Sequence, residues 1–63
     1  ENLQQAVEQL ADNHNYDSAI GYLRSHPEDA GEFCMQVFES FAKNDPTGIY
    51  LLGGVMERLL SSR

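Results

Sequence analysis

His14, His26 and Cys34 are the residues of this 63-residue chain that could serve as soft metal ligands or nucleophiles, and their spacing supports neither role. A zinc site draws its ligands from pairs such as C-x-x-C or H-x-x-x-H, and neither pair occurs. Glu28 and Asp29 beside His26 could hold a cation weakly. The same acids are also what a helix dipole favours at its start, so the residues read as a helix terminus with a solvent-facing histidine. Cys34 falls between Phe33, Val37, Phe38 and Phe41, where a thiol lacks a base and behaves as a small hydrophobe. It is expected to be buried and slow to react. The carboxylates lie on polar faces, and the sequence carries no calcium loop, nucleophile-elbow turn, phosphate-cradling glycine loop or dinucleotide fingerprint. The expectation is a chain that is not an enzyme and binds no metal and no cofactor.

Ten acidic residues against four basic ones give a net charge of −6. A field of that sign repels phosphate backbones and anionic lipid headgroups, which disfavours direct nucleic-acid or membrane partners. No apolar run approaches the ~20 residues of a membrane span, and no basic start with an apolar core marks a signal peptide. A single cysteine fits a reducing, cytoplasmic setting and excludes an intrachain disulfide. Residues 1–63 read as one helical domain, or a piece of a longer protein, near the size limit at which a chain folds without staples.

The elements that would carry these residues are helices. Leu3, Ala6, Val7, Leu10 and Ala11 recur at the spacing of one helix face, with glutamines and acids opposite. After the polar break Asn13-His14-Asn15, a short second helix buries Tyr16, Ala19, Ile20 and Leu23, and Arg24 suits its negative end. His26-Pro27 ends that helix and Pro27 opens a third. The third helix carries a core stripe of Ala30, Phe33, Cys34, Val37, Phe38 and Phe41, and beside it a second row of Gly31, Met35, Phe38 and Ala42. Asp45 then caps a fourth helix with Pro46 in its first position. Its glycine pair, Gly53-Gly54, is a place to bend, with Gly53 the expected point of close helix approach. The fold class is all-α, a small bundle of three to four short antiparallel amphipathic helices joined by short connections.

The fourth helix carries more apolar surface than one neighbour covers. Ile49, Leu51, Leu52, Val55, Met56, Leu59 and Leu60 span an arc of roughly 180°, against the ~100° stripe of a helix resting on one core. Phe33, Val37, Phe38, Phe41, Leu52, Val55, Met56 and Leu59 are expected at the centre of the core.

Residues 3–23 resemble a single tetratricopeptide-type helical hairpin, with Leu3, Ala6, Val7 and Leu10 on the first helix and Tyr16, Ala19 and Leu23 at packing positions of the second. Pro27 arrives about one turn early for that family, and no second repeat follows. The resemblance implies a protein-binding scaffold. Asp17-Ser18 is similar to the attachment site of acyl carrier proteins, which would imply a phosphopantetheine arm on Ser18. Ala19 stands where that family has leucine, and a first-turn serine is the alternative.

The functional expectation is a protein–protein interaction module with two forms of partner, itself or a different protein. Self-association through helix four and the outer row of helix three is the leading form, with Gly31, Met35, Ala42, Tyr50, Leu51 and Val55 as the partner-facing residues. The competing reading makes helices three and four the inner pair of a monomeric bundle, with Met35 and Leu51 ordinary surface residues. A further alternative is an acidic regulator that docks a basic protein through the row Glu28, Glu32 and Glu39.

Overall fold

Asn2 opens the first helix with a reciprocal cap, its side chain accepting the Gln5 amide at 2.9 Å while its own amide donates to Gln5 Oε1 at 3.2 Å. The computed structural model describes residues 2–61, and all its regular elements over that span are helical. They are α1 (Leu3–Asn13), α2 (Tyr16–Ser25), a 3-10 turn (Pro27–Asp29), α3 (Ala30–Glu39) and α4 (Thr47–Ser61). The sequence places four helices, and four are found.

The breaks follow from local chemistry. His14 ends α1 in the left-handed conformation, φ 52° and ψ 38°, so that its amide and that of Asn15 close back on the Leu10 and Gln9 carbonyls. Asn15 then caps α2 by accepting the Ser18 amide at 3.2 Å. Pro27 does not open α3 as expected. It opens the 3-10 turn, and α3 begins three residues later. This turn is pinned by the Tyr22 hydroxyl, which donates to Asp29 Oδ2 at 2.6 Å. Asp45 accepts both the amide and the hydroxyl of Thr47, and the Pro46 carbonyl accepts the first helical hydrogen bond from the Tyr50 amide at 3.0 Å, so α4 begins at Thr47, one residue later than the sequence places it.

Every helix contributes to one core: Ala6, Val7 and Leu10 from α1, Ala19, Ile20, Tyr22 and Leu23 from α2, Phe33 and Val37 from α3, and Leu51, Leu52 and Val55 from α4. Each fully buried large side chain contributes about 1.5–3 kcal/mol. Phe41 and Leu59 pack against this core from its edge. Two residues expected at its centre are elsewhere, since Phe38 is 50% and Met56 56% exposed. The reason is geometric: α3 rests on α1 and α4, and two neighbours cover one side of a helix, leaving Phe38 beyond the covered arc. Tyr22, which the periodicity does not single out, is buried instead of the half-buried Tyr16.

Helix α4 runs unbroken through both glycines. The close approach falls at Gly54, where a β-carbon would lie 2.6 Å from Tyr16 Cε1, whereas one on Gly53 would meet nothing within 4 Å. Gly48 makes a second contact, beside the Phe41 ring and the Val37 carbonyl. That contact joins the end of α3 to the start of α4 and sets the two antiparallel.

Candidate protein interface

The apolar surplus anticipated on α3 and α4 is present, carried by members of the wide arcs that only partly coincide with the residues expected to face a partner. Leu51 and Val55, expected to face a partner, are each 1% exposed and belong to the core. They point inward because α1 and α2 fill the space that a partner would need. Ala42 lies beyond the end of α3, in the connection to α4, so it continues no helical row. Gly31 and Met35 are on the open side of α3 as expected, and Tyr50 is the most exposed large apolar side chain of α4.

The other outward apolar residues are Met35 and Phe38 on α3, and Ile49, Met56 and Leu60 on α4, all between 50% and 62% exposed. On α4 they form, with Gly53, the row Ile49, Gly53, Met56 and Leu60 at intervals of four, three and four, the spacing of a coiled-coil seam. Of these residues, Met56 lines a cavity between α3 and α4, whereas Ile49 and Gly53 line a separate hollow with Tyr16, Tyr50, Gly54 and Glu57. Cys34 of α3 and Met56 of α4 line the same apolar cavity of about 170 Å³, floored by Leu23, Phe33 and Leu52. Nearer the connection between the two helices, the Phe38 backbone passes beside Gly48. Cys34 is therefore half-buried at a cavity wall, more open than the sequence suggests. No charged residue belongs to either row.

The acids are gathered on other sides. Glu32 and Glu39 face Glu8 across a groove between α1 and α3, where Gln36 and Gln4 hold Glu32 and Glu8 through hydrogen bonds of 3.0 and 3.4 Å. Glu28 is not in that row. The 3-10 turn carries it to His26, with Nδ1 and Oε2 3.6 Å apart. Ligand atoms of His26, Glu28 and Asp29 lie within 4.8 Å of one another, but Asp29 is already the acceptor for Tyr22. That hydrogen bond, followed by burial and the nearby Asp29 and Glu28 charges, pushes the Tyr22 pKa up to about 12. The His26 ring stacks on Tyr22 at 4.7 Å, so these groups form a clasp between α2 and the turn.

Ser18 occupies the first turn of α2, where its amide donates to the capping Asn15 side chain, with α1 only 11 residues long before it. Two features escaped the periodicity, the Tyr22–Asp29 clasp and the Tyr16 ring held between Gly54 and the Arg58 guanidinium, 4.1 Å from the ring centre. The seam on α4 was within reach, because its 4-3-4 spacing stands in the sequence. No protein-family model, curated protein or solved structure matches this chain.

Proposed function

We propose that this chain acts without catalysis, as a protein-interaction module that self-associates through the groove between α3 and α4. The observation that carries this reading is the set of six large apolar side chains that α3 and α4 leave exposed, Met35, Phe38, Ile49, Tyr50, Met56 and Leu60, on a chain with net charge −6. Two copies meeting there would bring apolar surface together and keep their acidic surfaces apart, which a like-charged pair requires.

Sedimentation equilibrium over a concentration series tests the reading. The wild type is expected to be a concentration-dependent dimer, and Phe38→Glu to be monomeric with unchanged helical circular dichroism, because Phe38 is not needed by the core. A wild type that stays monomeric throughout would exclude self-association.

A second reading is favoured by Glu8 joining Glu32 and Glu39 in one groove. It makes the chain an acidic regulator of a basic protein. Binding of a lysine-rich peptide that weakens steeply with salt, and is lost in Glu8→Gln/Glu39→Gln, would support it.

A further inference from the structure

Helix α4 packs on α2 as well as on α3, and where α2 meets α4 the surface sinks into a hollow of about 420 Å³. Tyr16, Ile49, Tyr50, Gly53, Gly54 and Glu57 line it. The two tyrosines bring aromatic rings, whose faces carry the negative part of the ring quadrupole. The two glycines contribute bare backbone and Ile49 an apolar wall. Among the described residues lining the hollow, Glu57 alone is charged.

The next residue in the chain, Arg58, is engaged on Tyr16. Its guanidinium lies 4.1 Å from the ring centre and donates to the Gly54 carbonyl at 3.2 Å, which fixes the ring as one wall. Glu57 makes no hydrogen bond or ion pair with any described residue. An uncompensated carboxylate beside aromatic rings attracts a cation, and the field of a chain with net charge −6 acts in the same direction.

We propose that this hollow binds a lysine side chain of a basic protein partner, its stem along Ile49 and the glycine backbone and its ammonium at Glu57. The lysine stem is an unbranched run of methylenes that lies on apolar surface while its head stays with a charge. An arginine would bring more N–H donors than a single carboxylate satisfies. Tyr50, 77% exposed, has room to lie against the stem. The site needs one copy of the chain, so it does not rest on self-association. It is also separate from the groove of Glu8, Glu32 and Glu39.

An amide NMR titration with a capped tripeptide holding one central lysine tests it. The Gly53, Gly54 and Glu57 amides are expected to shift saturably. The norleucine counterpart, which keeps the stem and lacks the ammonium, should bind at least about threefold more weakly. Glu57→Gln and Tyr50→Ala, both at exposed positions that the core does not need, should each weaken the lysine peptide by at least about threefold, whereas Asp12→Asn, which removes the same charge away from the hollow, should change it less than about twofold. Equal losses in Glu57→Gln and Asp12→Asn would overturn the proposal by reducing the attraction to net charge. Shifts at Glu8 and Glu39 in place of the hollow would overturn it by moving the cation to the acidic groove. Equal binding of the norleucine peptide, or no saturable shift at all, would overturn it as well.

Discussion

The ring of Tyr16 lies against the backbone of Gly54, so close that a β-carbon on Gly54 would fall 2.6 Å from Cε1 and 3.0 Å from the hydroxyl oxygen. Arg58 covers the ring at 4.1 Å from its centre while donating to the Gly54 carbonyl at 3.2 Å. The contact docks the first turn of α2 on the middle of α4, and the missing side chain of Gly54 makes it possible.

Gly54→Ala and Gly53→Ala form a matched pair. Both gain about 1 kcal/mol of helix propensity, but only Gly54→Ala must displace the Tyr16 ring and break its stack on Arg58. Urea denaturation at one protein concentration should place Gly54→Ala about 1–2 kcal/mol below Gly53→Ala. Equal stabilities would mean that the ring is not held against the glycine.

The three phenylalanines should separate by burial. Phe33, fully buried, should cost about 3–5 kcal/mol on truncation to alanine, enough to unfold so small a domain. Phe41 at the core edge should cost less, and Phe38 the least of the three when compared as monomers. Leu51→Glu buries a charge at a position 1% exposed and should unfold the chain, whereas Ile49→Glu on the open face should not. Thermal melts followed by circular dichroism read this order directly.

The Tyr22 clasp predicts an alkaline weakness. A folded-state pKa raised to about 12 means that the clasp's contribution is complete below pH ~10, where an unfolded tyrosine is still neutral, and is lost as pH rises toward 12. Tyr22→Phe, lacking the hydrogen bond to Asp29, should melt lower at neutral pH and lose the part of the alkaline decline due to this tyrosine. Melting temperatures of the two proteins between pH 7 and 12 should therefore converge.

At the start of α4 the sign is reversed. The hydroxyl of Thr47, then its amide, holds the Asp45 carboxyl below the usual aspartate range. Its stabilisation is present above the unfolded pKa and disappears as pH falls through the lower folded value. Asp45→Asn keeps a capping oxygen without the titrating charge, so it should flatten this part of the acid melting profile.

His14 holds the left-handed position that ends α1, at φ 52°. Glycine adopts that conformation without a steric cost, so His14→Gly should raise stability by about 0.5–1 kcal/mol, measurable as an increased urea midpoint.

The sequence by itself determined the four helices, the caps of α2 and α4 and the excess of apolar surface on α3 and α4, because each depends on residues within a few turns of one another. Asn2 with Gln5, Asn15 with Ser18 and Asp45 with Thr47 are local hydrogen-bonded pairs, legible as spacing. Tertiary structure alone decided which part of each wide arc meets the core. A 3.6-residue period shows that Leu51, Val55, Ile49 and Met56 share a broad face, but only the positions of α1 and α2 turn Leu51 and Val55 inward and leave Ile49 and Met56 open. The same holds for Gly54 and for the buried Tyr22, whose partners Tyr16 and Asp29 come from another helix and from a turn. Helical periodicity fixes directions around one axis, and the packing of several axes decides which of those directions face protein and which face water.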